Sequence, residues 1–404
     1  MAVTLLSNEV LDLCLGKPAL RSLSVTHTVA DALCVLKKLG DSCVSVWSCH
    51  HSSESGDSTI RNVGGGGAAA DCRCIAKVCI VDIICYLCRP ENLLAPAQAL
   101  QSPLSVLIPK TSGLVRHLEP NARLLDAIDL MLEGAQNLVI PIPESKSRKK
   151  KLLEKKSSLD STFHKNGIRY CWLTQEDVIR YLINFICLFS ATHSEPINSL
   201  GIIDTKNVLV VNYDDPASSA LNLITESLIH QSSVAIVNPD GQLIGEISPF
   251  HLNAGDETTA AAIATLSAGD LMAYVDCGGP PEDLVQLVKE RLEEQNLVGA
   301  LELMEEESGL SLSSWPSFTS TSSDEDGLSS SVKNGKHGGY SARVVRRSEA
   351  TVCYPWSSLV AVMIQALAHR VSYAWVVEED GTLTGIVTLS GMLKVFREQF
   401  KVMG

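Results

Sequence analysis

The sequence predicts a mixed α/β fold built from four βαββα repeats, paired two by two. Three observations carry that prediction. Residues 232–248 (SSVAIVNPDGQLIGEIS) and 372–388 (SYAWVVEEDGTLTGIVT) align without a gap. The segment ahead of each carries apolar residues at helical spacing, and two earlier stretches show the same order of elements with an insertion at the same point. Internal repetition of this kind is the strongest organising signal a single chain offers.

In the two later copies a β-branched run leads into a polar turn that ends in Asp-Gly (Asp240-Gly241, Asp380-Gly381), followed by a second apolar run. This is a hairpin pattern, since glycine after aspartate accepts the positive φ such turns require. Ahead of the hairpins, Pro216-Ala217-Ser218-Ser219 leads into Ala220, Leu221, Leu223, Ile224 and Leu228, and Trp356-Ser357-Ser358 into Leu359, Val362, Met363, Ala366 and Leu367. Both read as amphipathic helices with capping residues at their first turn. In the second copy Glu119-Pro120-Asn121 precedes a helix through Leu124, Leu125, Ile128, Met131 and Leu132, then strands over 138–142 and 169–173 and a helix from Gln175. In the first, Thr28 caps a helix over 29–39, strands follow over 43–47 and 73–78, and a helix runs over 80–88.

Three stretches differ from the rest and read as loops. Residues 50–71 contain a four-glycine run, 143–167 hold seven Lys and Arg residues between Lys146 and Lys156, and 305–340 are rich in Ser, Thr, Gly and acids. Such compositions cannot bury enough apolar surface to pack. The resulting division is 1–100 and 101–192 for the first two repeats, 196–254 for the third and 266–404 for the fourth. Within each half, one repeat is expected to cover the apolar face of its neighbour.

Composition narrows the function. At 45% hydrophobic and 20% charged the 404-residue chain is globular in character, and a net charge of −13 argues against a nucleic-acid binder, which needs a basic face. The longest uncharged apolar run, 181–192, falls short of the ~20 residues that span a bilayer, so no membrane insertion is expected. Glu9 and Asp12 interrupt the first apolar residues, which is unlike a secretory signal. Thirteen cysteines spread along the chain read as reduced thiols, and the expected location is cytoplasmic, also nuclear if the lysine cluster acts as a localisation signal. Cys72, Cys74, Cys85 and Cys88 near Cys49-His50-His51 invite a zinc reading, but they fall on a strand and a helix as small buried thiols. Nucleophile-elbow, zinc-protease and phosphate-loop motifs are absent, and the Gly64–Gly67 run lacks the helix a dinucleotide site needs.

Gly385-Ile386-Val387-Thr388 after Asp380-Gly381, between helices, resembles the end of a CBS domain, the cystathionine β-synthase module, and 216–252 is similar. Ser267-Ala268-Gly269-Asp270-Leu271-Met272 resembles the short lead-in helix ahead of such a domain. Four copies cover nearly the whole chain, which resembles the plant CBS-domain-only proteins and, in architecture, the γ regulatory subunit of AMP-activated and sucrose-non-fermenting-type kinases. The resemblance implies two Bateman modules, 1–192 and 196–404. It also implies a cleft for adenosine ligands marked by Gly-apolar-apolar-Thr/Ser-x-x-Asp, the hydroxyl and carboxylate holding phosphate and ribose. The second copy keeps Thr174 and Asp177 and lacks the Gly. The first has Cys79 and Asp82, the third Ser248 and His251, and the fourth Thr388 and Gly391. The ligand-binding candidates are therefore Thr174, Asp177, Thr388, Ser248 and Asp82. The plainer reading of Thr174 and Asp177 is a helix cap, with Thr at the cap position and acids in the first turn.

The expected function is a non-enzymatic regulator that binds and modulates a protein partner, either kinase subunits or a metabolic enzyme. No cofactor is expected, and an AMP-like ligand or S-adenosylmethionine is the candidate modulator. The other reading is an interaction scaffold whose clefts have decayed.

Overall fold

The computed structural model describes residues 8–39, 42–49, 72–142, 168–189, 192–276, 279–310 and 350–403. The insertions at 50–71 and 143–167 lie outside the described residues, as do residues 311–340 of the third stretch, with its Ser322-Ser323-Asp324-Glu325-Asp326 run. Four three-stranded sheets of one topology make up the fold: β1 (Ser22–Ser24), β2 (Val44–Cys49) and β3 (Cys72–Val78); β4 (Val115–His117), β5 (Asn137–Ile142) and β6 (Arg169–Thr174); β7 (Val210–Asn212), β8 (Val234–Val237) and β9 (Leu243–Ile247); β10 (Val352–Cys353), β11 (Tyr373–Val377) and β12 (Leu383–Thr388). In each, the first strand runs parallel to the second and the second antiparallel to the third. A parallel pair needs a crossover, and the helices Val29–Leu39, Leu124–Leu132, Leu221–His230 and Leu359–His369 supply it. The Asp-Gly turns close the hairpins of repeats 3 and 4 with Gly241 and Gly381 at φ 78° and 85°.

Sheets join the repeats within each half. In the first half the Cys74 N–H donates to His117 Nε2 at 3.0 Å, and Trp47 packs on Tyr170 with ring centroids 4.9 Å apart. In the second half the two hairpins meet at their tips, where Leu243 N donates to Gly381 O and Leu383 N to Gly241 O, each at 3.0 Å. These contacts make two paired modules of the expected kind.

The segments that lead into the repeats are crossed. Glu9 bridges to Arg123 at the start of the helix of repeat 2, although it precedes repeat 1, while Pro103, which precedes repeat 2, bridges to Thr28 of repeat 1. The second half repeats this: Pro196 bridges to Ser358 of repeat 4, and Ser267 to Pro216 of repeat 3. The helix Ala268–Tyr274, expected from the sequence as the lead-in of the repeat it precedes, therefore docks on repeat 3, with Ala268 N donating to Asp215 O at 2.8 Å. Each half is interlocked by exchange rather than by contact alone.

Apolar packing also runs between the halves. One core cluster joins Val29, Leu36, Val81 and Ile84 of repeat 1 to Ile224, Ile236, Leu252 and Ile263 of repeat 3 and the segment after it. A second joins Ile128, Met131, Ile179 and Leu182 of repeat 2 to Val362, Met363, Met392 and Phe396 of repeat 4. The helix Ile80–Leu87 packs against Leu221–His230 and Thr259–Thr265, and Leu389–Met403 packs against Leu124–Leu132 and Gln175–Ile183. Residues 305–310, expected as loop, are instead the last six of the helix Val298–Leu310. That helix seats on repeat 1 through Gly299, where a Cβ would stand 2.6 Å from the Leu94 carbonyl oxygen. No helix among the described residues is long and apolar enough to cross a membrane.

Candidate functional site

Each repeat ends its hairpin at the start of a helix, where free N–H groups and the helix dipole favour an anion. The four starts differ in chemistry. In repeat 2, Thr174 closes β6 and caps the helix Gln175–Ile183. Its N–H and hydroxyl both donate to Asp177 Oδ2, at 2.8 and 2.7 Å, and its Oγ1 lies 3.4 Å from the Asp177 N–H. The crossed lead-in brings Lys17 to the same carboxylate as an ion pair, and Lys17 Nζ also donates to Trp172 O at 2.8 Å. An open cleft of about 460 Å³ lies beside this group, lined among others by Asp12, Lys17, Asp177, Arg180, Tyr181 and Asn184. Arg180 is itself paired with Glu176 one turn away.

Repeat 1 builds the same cap from other atoms. The Cys79 N–H and thiol donate to Asp82 Oδ2 at 2.7 and 3.0 Å. Desolvation raises the Asp82 carboxyl above its ordinary value, against the hydrogen bonds from Cys79 and the charge of Lys77. Burial likewise pushes the Cys79 thiol well up. In repeat 3, Ser248 Oγ and His251 Nδ1 are 2.8 Å apart and the His251 N–H donates to Ser248 Oγ at 3.2 Å. Both residues are 1% exposed, so this position is sealed. In repeat 4 the Gly391 N–H donates to Thr388 Oγ1 at 3.2 Å, and no carboxylate stands at position 391. The lead-in lies across it, with the Ile202 carbonyl oxygen 3.5 Å from where a Gly391 Cβ would be.

Of the five candidates, Thr174 and Asp177 thus come together at an open cleft, while Asp82, Ser248 and Thr388 stand at three separate helix starts. Sequence reasoning missed Lys17, because the crossed lead-in that carries it has no local signature. The glycine of the motif has a steric reason: a Cβ at Gly385 would lie 2.6 Å from Ile203 Cγ2 and 3.0 Å from Asp204 O of the crossed lead-in. Among the described residues no group of three or more His, Cys, Asp or Glu side chains could hold a metal.

The CBS domain family matches residues 202–252 and 352–398, the bodies of repeats 3 and 4. The chain is 45% identical to the CBS domain-containing protein CBSX5 of Arabidopsis thaliana, over 98% of each. The chain belongs to the CBS domain-containing proteins. It is also 25% identical to CBSX6 of the same plant, over 99% of this chain and 95% of that one. Among solved structures it is similar to protein MJ1225 of Methanocaldococcus jannaschii, described as a candidate archaeal homologue of γ-AMPK. That match has a TM-score of 0.53 at 14% identity and covers 96% of this chain and 100% of the other. The shared fold extends the CBS architecture to repeats 1 and 2, whose hairpin turns are split by the insertions at 50–71 and 143–167.

Proposed function

We propose that this CBS protein is a non-enzymatic regulator that binds a protein partner and adjusts it in response to an adenosine ligand held in the cleft of repeat 2. The observation that carries the reading is the cluster of Thr174, Asp177, Lys17 and Arg180 at a helix start open to solvent. Asp177 accepts from the ribose hydroxyls once the Lys17 ammonium turns from the carboxylate to the phosphate, and the first turn of the helix offers its N–H groups to the same phosphate. Two nearby cations suit a single phosphate; in a chain of net charge −13, AMP is favoured over ATP.

The partner belongs to the class of kinase subunits or metabolic enzymes, and the protein works in the cytoplasm, reaching the nucleus if the lysine cluster at 146–156 directs it there. Thermal unfolding with AMP, ADP, ATP and S-adenosylmethionine tests the ligand. Saturation at ~100 times the dissociation constant adds about 2.7 kcal/mol. No shift with any of them turns the reading to a pure interaction scaffold, which one observation favours: Lys17 already neutralises Asp177. Affinity purification from native extract, with identification of the bound proteins, tests the partner.

A further inference from the structure

We propose that Cys14 and Cys171 are a disulfide-forming modification site, oxidised by a hydroperoxide, that locks the crossed lead-in onto repeat 2. The position follows from the fold. In repeat 4 the lead-in lies so close to Gly385 that a side chain there would collide with Ile203. Cys171 occupies the corresponding place in repeat 2, first in the alignment of Cys171-Trp172-Leu173-Thr174 with Gly385-Ile386-Val387-Thr388, and its hydrogen-bond partner on its own crossed lead-in is Cys14. The two thiols share a hydrogen bond and lie in one apolar cluster, Cys14 at 3% and Cys171 at 0% exposure. Backbone bonds fix the lead-in on both sides of Cys14: Val10 N donates to Ala122 O at 2.9 Å and Leu20 N to Tyr170 O at 2.8 Å. The partners are thus held together before any chemistry occurs, which is the condition for fast intramolecular closure.

The charge of Lys17 acts on both thiols and favours a thiolate in the pair, against burial. Cys14, on the lead-in that carries Lys17 and the less buried of the two, is the attacking sulfur. Its thiolate attacks one oxygen of the hydroperoxide, the O–O bond breaks, and the other oxygen leaves with a proton as an alcohol, or as water from hydrogen peroxide. The Cys171 sulfur then attacks Sγ of the Cys14 sulfenic acid; the S–O bond breaks and the oxygen leaves as water with the Cys171 proton. Two thiols are oxidised and one hydroperoxide is reduced. A small oxidant suits thiols this buried. Burial pushes Cys85 and Cys88 up, and Cys85 bonds to Thr225 rather than to Cys88.

The disulfide would hold Lys17 at Asp177 and lower the affinity of the cleft; that consequence rests on the ligand reading above, whereas the bond itself does not. The deciding experiment treats the full reduced chain with hydrogen peroxide, blocks remaining thiols with N-ethylmaleimide and maps peptides without reductant. The expected product is a Cys14–Cys171 peptide pair two hydrogens lighter than its parts, lost on reduction and absent in Cys14→Ser. Recovery of both residues as alkylated thiols, or of Cys14 as sulfinic acid with Cys171 alkylated, overturns the proposal. The map of the unmutated chain decides this alone, whether or not the variant folds.

Discussion

The carboxylate of Glu246, in β9 of repeat 3, accepts from the indole N–H of Trp375, in β11 of repeat 4, at 2.7 Å. The same oxygen accepts from the Tyr373 hydroxyl at 2.9 Å, and Glu246 is 0% exposed. A buried carboxylate is tolerated where its donors are fixed in place. Here it makes the joint between repeats 3 and 4 polar and specific.

Removing the Glu246 side chain leaves two buried donors without this acceptor. Glu246→Ala should lower stability by roughly 3 kcal/mol, and Trp375→Phe by about 1.5–3 kcal/mol, the usual worth of a hydrogen bond to a charged group. Urea unfolding of the three proteins measures both. Losses below ~0.5 kcal/mol would show that the joint stands on apolar packing.

The cross-half cores make a prediction about fragments. In 196–404 alone, Met392 and Phe396 lose the helix Leu124–Leu132 that covers them, and burial of each such side chain is worth about 1.5–3 kcal/mol. The fragment should self-associate through this face, and adding the 1–192 fragment should restore a one-to-one complex. A monomeric, cooperatively folding 196–404 in sedimentation would show that each half is covered by its own repeats, as the repeat pattern alone suggests.

Asp177 is both cap and candidate ligand group. Asp177→Ala should cost about 1 kcal/mol of stability through the lost capping box, and weaken AMP by about 1.5–3 kcal/mol. Lys17→Ala should weaken AMP more than adenosine, because only AMP offers a phosphate. Calorimetric titration separates these outcomes; equal AMP affinity in Asp177→Ala and the parent leaves Thr174 and Asp177 as a cap.

Glu257 pairs with Lys37 at 2.6 Å, and burial raises its carboxyl in spite of that charge. Between the ordinary value of 4.5 and the raised one, the folded protein holds a proton that the unfolded chain has lost. The contribution to stability is therefore full below 4.5 and is lost as pH rises through the raised value. Glu257→Gln should flatten that part of the curve of urea midpoint against pH. An unchanged slope would assign the pH dependence to other groups.

Much of this fold was legible locally. Apolar periodicity and the Asp-Gly pairs marked the hairpins of repeats 3 and 4, since a strand pair joined by a tight turn is specified by neighbours in the chain. The same holds for Thr28 and Thr174 as caps, whose partners Asp31 and Asp177 lie three residues on. The late end of the helix Val298–Leu310 was not legible, because its seat at Gly299 is the Leu94 carbonyl of repeat 1.

By itself the sequence determined the repeat, its order of elements and the positions of Thr174, Asp177, Asp82, Ser248 and Thr388 at the starts of helices. Tertiary structure alone decided which of those starts lies at an open cleft. Exchange of the lead-ins set Lys17 against Asp177 and Cys14 against Cys171, and packing buried Ser248 with His251. The reason is one of distance along the chain: turn and cap chemistry acts over a few residues, whereas the charge, the access and the thiol partner at repeat 2 come from a segment more than a hundred residues upstream.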